Sequence, residues 1–151
     1  MSFVRKIKNI VNKYVLHLAF LHAWAATLGS LYFSEVKSLP PCLLCWYQRI
    51  LMYPLAIILA VAIYRKDKQV AYYALPLSLI GAAIALYHYL IQWTALKDIN
   101  PISCSITADC SQKQLIYLGF ITIPLFSFIA FIVISALMFY IIKTNKNARR
   151  K

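Results

Sequence analysis

An all-α integral membrane bundle of four helices is what this chain predicts, and three features predict it: long uncharged apolar runs, basic residues sorted by loop, and too little polar chain to cover the apolar part. Hydrophobic residues make up 62% of the 151 positions and charged residues 13%, far from the balance of a soluble domain. Residues 14–33, 46–64, 70–93 and 115–142 are almost free of Asp, Glu, Lys and Arg. Each is near or above the roughly 20 residues a helix needs to cross a hydrocarbon core. Barrel strands would be shorter and would alternate apolar with polar, whereas these runs are apolar throughout. A soluble bundle could bury one such helix but not four. No internal repeat or low-complexity stretch divides the chain, so a single domain over 1–151 is expected.

The first run follows Arg5, Lys6, Lys8 and Lys13 and resembles a secretory leader in that respect. It lacks a clear small-x-small cleavage site and exceeds the usual leader core, so it is read as a retained span. The second run begins just after Pro40-Pro41 and a pair of cysteines, and contains Pro54. The third contains Pro76 and the fourth Pro124; neighbouring helices satisfy the carbonyls that such prolines free.

The net charge of +12 is not spread as a nucleic-acid surface would be. The N-terminal segment, the loop with Arg65, Lys66 and Lys68, and the tail with Lys143, Lys146, Arg149, Arg150 and Lys151 hold most of it. The other two loops carry Lys37, Lys97 and Lys113, nearly matched by Glu35, Asp98 and Asp109. By the positive-inside rule both termini and the middle loop are expected in the cytoplasm, and loops 34–45 and 94–114 outside. Lipid is therefore the expected surroundings and nucleic acid is not an expected partner. Tyr and Trp residues near both ends of the runs match the headgroup level.

All four cysteines, Cys42, Cys45, Cys104 and Cys110, fall in the two loops expected outside. Thiols confined to the oxidising side of a membrane call for pairing or redox chemistry. A disulfide across Cys42-Leu43-Leu44-Cys45 closes too small a ring to stabilise much, which points to thiol exchange. Cys104 and Cys110 bracket five residues in a loop long enough to bring either sulfur to the membrane surface. Taken alone, that second pair favours a plain stabilising disulfide.

Cys45 stands at or just before the start of the second helix, where the helix dipole favours an anion. Arg49 follows four residues on, one turn deeper on the same face, where it must snorkel or find an anionic or carbonyl partner. His88 and Gln92, also four apart, fall at a similar depth near the outer end of the third run. Together Arg49, His88 and Gln92 offer hydrogen bonds to a carbonyl-bearing ring beside Cys45; two polar residues bonding between helices would read the same way. His17 and His22 are read as packing residues.

The run Pro41-Cys42-Leu43-Leu44-Cys45-Trp46-Tyr47-Gln48-Arg49 resembles the signature of the DsbB disulfide-bond oxidoreductases. The His88-x-x-x-Gln92 pair and the Gly119-Phe120-Ile121-Thr122-Ile123-Pro124 run are similar to its BdbC-type branch. The resemblance implies reoxidation of an extracytoplasmic thioredoxin-fold thiol oxidase of the DsbA or BdbD kind, with a membrane quinone, menaquinone or ubiquinone, as acceptor. It implies that Cys104 forms the mixed disulfide with the partner and that Cys110 then attacks Cys42. Cys45 is thereby released as the thiolate facing the quinone, with Arg49 supporting it. The second pair is closer together here than in the best-known DsbB proteins.

Two other functions compete. A vitamin K epoxide reductase-like enzyme is also a small helical bundle with loop cysteines, but there the loop pair precedes the active C-x-x-C, the reverse of this order. A non-catalytic four-thiolate zinc site would need all four cysteines reduced. No resident metal is expected on the favoured reading.

Overall fold

The computed structural model describes residues 2–67, 69–93 and 122–149, with side chains over 14–67, 69–93 and 122–146. Among them every regular element is helical. Helix α1 (Ser2–Leu31) runs into a π-helical turn, Tyr32–Val36; α2 spans Leu43–Arg65, α3 Ala71–Trp93 and α4 Ile123–Arg149. Four stretches, Tyr14–Val36, Leu43–Arg65, Ala71–Trp93 and Ile123–Lys146, are long and apolar enough to cross a membrane.

The helices extend beyond the apolar runs where local chemistry allows. Helix α1 continues back through the basic segment, because Lys and Arg are good helix formers and need no apolar partner. Helix α2 starts at Leu43 instead of residue 46. The paired prolines keep Leu39 and Pro40 out of the helical region, and Cys42 is still extended at φ −72 and ψ 169, so the helix opens directly after it. Its carbonyl takes the first helical bond, from the Trp46 amide at 3.1 Å. Helix α2 ends on Lys66, left-handed at φ 54, whose amide reaches the carbonyls of Ala62 and Ile63. In α4, Pro124 occupies the first turn, where its missing amide costs nothing. Residues 115–121 of the fourth apolar run lie outside the described residues.

The helices form a closed ring: α1 touches α2 and α4, α2 touches α3, and α3 touches α4. Short connections make α1, α2 and α3 successively antiparallel. Helix α4 runs antiparallel to α3, since Ser78 meets Ser135 while Gly81 meets Phe131. Small residues bring the helices together, with Ala19, Ala23, Ala71, Ala74, Ala85 and Ala130 all buried. Close approach through small side chains is how helices associate where lipid removes the ordinary hydrophobic drive. Ser78 and Ser135 add a polar tie across the α3–α4 seam, one hydroxyl donating to the other at 2.8 Å while the accepting serine donates to a carbonyl of its own helix.

The outside of the bundle is apolar. Leu21 and Ile57 are about two-thirds exposed, at 66% and 65%, and Leu18, Val61, Ile80 and Phe139 are exposed too. Water would not tolerate so continuous an apolar surface; hydrocarbon does. Exposed aromatics gather toward its two ends, Tyr14, Tyr64, Tyr72 and Tyr73 at one and Tyr32, Trp46, Tyr47 and Trp93 at the other. The latter end collects the π-helical turn, the start of α2, the end of α3 and the start of α4.

Gly81 sets the spacing of the tightest seam. A Cβ there would meet the ring of the fully buried Phe131 well inside contact distance. Gly81→Ala is expected to lower stability by about 1–3 kcal/mol through overpacking. Thermal unfolding in detergent measures this, and adding Phe131→Leu should restore part of the loss; a Gly81→Ala chain as stable as its parent would contradict the seam.

Candidate active site

The C-x-x-C motif straddles the start of α2. Cys42 is the last extended residue and Cys45 lies in the first helical turn, a fold-back that sets their sulfurs 2.9 Å apart. Cys42 is buried and Cys45 half-buried. Leu44 and Ile91 close over them from α2 and α3.

Two polar groups approach the pair from different sides. On the Cys42 side, His88 of α3 is buried with its Nε2 3.6 Å from the Cys42 sulfur. Its Nδ1 is held at 3.1 Å by the Gln48 side-chain amide, itself buried on α2. On the Cys45 side, Arg49 stretches across to α1, where Nε donates to the Ser30 hydroxyl at 2.9 Å and Nη2 to the Ser30 carbonyl at 3.0 Å. The guanidinium also lies 5.6 Å from the centre of the Trp46 ring, a cation–π distance. The expected carbonyl partner for Arg49 is therefore Ser30, near the end of α1.

A hydrogen bond from the Cys45 thiol, aided by one from His88, holds the Cys42 thiol well below the ordinary thiol range, although burial pushes the other way. A stabilised thiolate favours the reduced pair, so the corresponding disulfide is a stronger oxidant of incoming thiols. His88→Ala is accordingly expected to move the midpoint of Cys42 alkylation to higher pH. Iodoacetamide labelling followed at that peptide by mass spectrometry checks this, and an unmoved midpoint would show that His88 does not act on the sulfur.

Beside Cys45 a small cleft opens between α1, α2 and α4. Cys45, Gln48 and Arg49 line it with the apolar Phe33, Met52 and Phe131. Tyr53, one turn beyond Arg49, lines it too, and its hydroxyl is buried with no hydrogen-bond partner among the described residues.

Of the residues singled out from sequence, the structure brings Cys42, Cys45, Arg49 and His88 into one cluster. They do not all face one space: Cys45 and Arg49 line the cleft, while His88 backs Cys42. Gln92 is half-buried one turn farther along α3 and is not part of the cleft wall. Cys104 and Cys110 lie outside the described residues. Sequence reasoning passed over Ser30, Gln48 and Tyr53. Gln48 and Tyr53 carried a usable signal, since spacings of three and eight from Cys45 put both on its helix face. Ser30 carried none.

The chain matches the family model described as "Disulfide bond formation protein DsbB" over residues 12–141. It is 44% identical over 133 residues to "Probable disulfide formation protein C 1" of Bacillus anthracis, covering 88% of this chain and 95% of that one. It is 47% identical over 124 residues to "Disulfide bond formation protein C" of Bacillus subtilis (strain 168), covering 82% of this chain and 88% of the relative. A protein of Halalkalibacterium halodurans, "Probable disulfide formation protein C", is 47% identical over 117 residues, 77% of this chain and 84% of that one. No solved structure matches it.

Proposed function

The chain belongs to the DsbB family of disulfide bond formation proteins, and from that premise we propose that it reoxidises an extracytoplasmic thioredoxin-fold thiol oxidase and delivers the electrons to a membrane quinone. The observation that carries this reading is the joining of Cys45 and Arg49 in the wall of one cleft, with Cys42 directly behind.

The cleft's residues fit a quinone headgroup. Its wall is largely apolar, as an aromatic ring requires, and among the described residues it holds the Arg49 cation and the orphaned hydroxyl of Tyr53 as donors for ring carbonyls. Ser30 occupies Nε and Nη2 of Arg49, so the guanidinium is held in place before any ligand arrives. When bound, a quinone would supply the two-electron acceptor that returns the dithiol to a disulfide.

The chain's own residues account for the remaining steps. The partner's thiolate attacks the Cys104–Cys110 disulfide and forms a mixed disulfide with Cys104; Cys110, released, attacks Cys42, and Cys45 leaves as the thiolate at the cleft. The partner's second thiol then displaces Cys104, which displaces Cys42 and restores the Cys104–Cys110 bond. Each exchange breaks one S–S bond and forms another, so the electron pair moves inward without loss. His88, held at Nδ1 by the Gln48 amide, presents its Nε2–H to the Cys42 sulfur and stabilises the thiolate there. The basic ends of α1, α2 and α4 support a cytoplasmic placement of both termini and an external placement of the cysteine loops.

Cys110→Ser is expected to trap a covalent complex between Cys104 and the partner, stable without reductant and lost with it. Non-reducing electrophoresis and mass spectrometry of the trapped band identify the partner and the linking cysteine. Trapping only through Cys110, when Cys104 is replaced instead, would exchange the two roles; no thiol-linked species from either variant would remove the partner from the mechanism.

A further inference from the structure

We infer that the reduced Cys42–Cys45 pair and His88 form a binding site for a thiophilic divalent cation of the zinc class, which locks the motif in its dithiol form. The three donor atoms, two Sγ and the His88 Nε2, all lie within 4.8 Å of one another. They come from the two arms of a C-x-x-C motif and from one facing helix, the usual make-up of a Cys₂His zinc site with an open fourth position. This inference goes beyond the proposed function and needs neither quinone nor thiol oxidase.

The donor set selects the ion. Two thiolates neutralise a divalent cation, so the occupied site adds no net charge to a buried place, and one imidazole completes a soft triad. Among the described residues no carboxylate joins the cluster, so calcium and magnesium, which take oxygen ligands, are poor candidates. Little rearrangement is needed: the sulfurs, now 2.9 Å apart, must separate to the roughly 3.8 Å edge implied by Zn–S bonds of about 2.3 Å. His88 already directs Nε2 at the sulfur and is gripped at Nδ1 by Gln48, the outer partner that orients a ligating imidazole. Turning over the Gln48 amide lets its oxygen accept the Nδ1 hydrogen when Nε2 binds metal. Access runs through the cleft, where Cys45 is half-buried.

The chemistry makes binding and oxidation mutually exclusive. One divalent cation displaces two thiol protons and forms two metal–sulfur bonds, with no electrons exchanged; a disulfide has no thiolate to offer. A zinc ion in the site therefore withholds both sulfurs from exchange. The four-thiolate arrangement differs, because it needs Cys104 and Cys110.

The test is titration of the full-length protein in detergent with Co²⁺, followed by displacement with Zn²⁺. Reduced protein is expected to bind one Co²⁺ per chain with the sulfur charge-transfer and visible bands of a tetrahedral thiolate site, and Zn²⁺ to erase them. Air-oxidised protein should show no such bands, a comparison that needs no substitution. His88→Ala should weaken affinity by at least about tenfold, while Cys104→Ser with Cys110→Ser should leave it within a factor of about two. Absence of bands from the reduced protein, equal binding by the oxidised form, indifference to His88→Ala, or loss in the Cys104/Cys110 double variant would each overturn the site.

Discussion

Arg49→Ala is expected to slow quinone-dependent oxidation of the Cys42–Cys45 dithiol by about 10- to 150-fold, the worth of one charge-assisted hydrogen bond of roughly 1.5–3 kcal/mol. Exchange between the Cys104–Cys110 pair and the partner should stay near the parental rate. The separation follows from position: Arg49 lies in the cleft wall beside Cys45, while His88 approaches Cys42 from outside that wall. Arg49 also ties α2 to α1 through both the hydroxyl and the carbonyl of Ser30, so its loss removes packing as well as charge. Ser30→Ala keeps the charge and the carbonyl bond, and should cost less than the arginine change in quinone use. Arg49→Lys should rescue poorly, because an ammonium cannot fork to Ser30 and still present a planar edge to the cleft. Pre-steady-state oxidation of reduced protein by a short-tailed quinone, measured beside partner exchange, checks this. Equal quinone kinetics in Arg49→Ala and parent would remove Arg49 from the mechanism.

Cys45→Ser should reduce turnover of partner thiols to the uncatalysed background. Serine cannot form a disulfide, so Cys42 stays a free thiol with no S–S bond for Cys110 to attack, and the electrons taken from the partner should stop at a reduced Cys104–Cys110 pair. Membranes carrying the variant, supplied with reduced partner and assayed by thiol alkylation, provide the measurement. Because Cys45 is only half-buried and a hydroxyl is close to isosteric, the change should not unfold the bundle. Parental turnover by this variant would reduce the C-x-x-C motif to a structural clip.

Much of this architecture is legible from residue order because lipid imposes a simple rule, that each crossing must be apolar and helical. Four runs satisfied it, and among the described residues four helices are long and apolar enough to cross. The rule says less about ends. Apolarity stops at the membrane boundary whereas helix propensity does not, so α1 reaches back to Ser2 and α4 runs to Arg149 through charged sequence. The start of α2 depended on local stereochemistry at Pro40-Pro41-Cys42, a signal present but outweighed by the apolar count.

The site divides in the same way. Positions on one helix face could be read from spacing, which is why Cys45 and Arg49 belong together and why Gln48 and Tyr53 could have been added. Which helices abut is another matter. The Arg49–Ser30 bonds and the Gln48–His88–Cys42 chain cross between α2 and its neighbours, and periodicity within one helix says nothing about the rotation of the next. Gly81 shows the same limit: its smallness acquires meaning only opposite Phe131.

The central proposition is that a lipid-soluble oxidant takes electrons from the sulfurs of α2 at the Arg49 cleft. Purified, fully reduced protein mixed anaerobically with a short-tailed quinone, with thiols counted by alkylation and quinol by absorbance, tests it most directly. The expected result is one quinol formed for each disulfide gained between Cys42 and Cys45, in protein whose Cys104 and Cys110 are both serine. Persistently free thiols at Cys42 and Cys45, with the quinone unchanged, would contradict it.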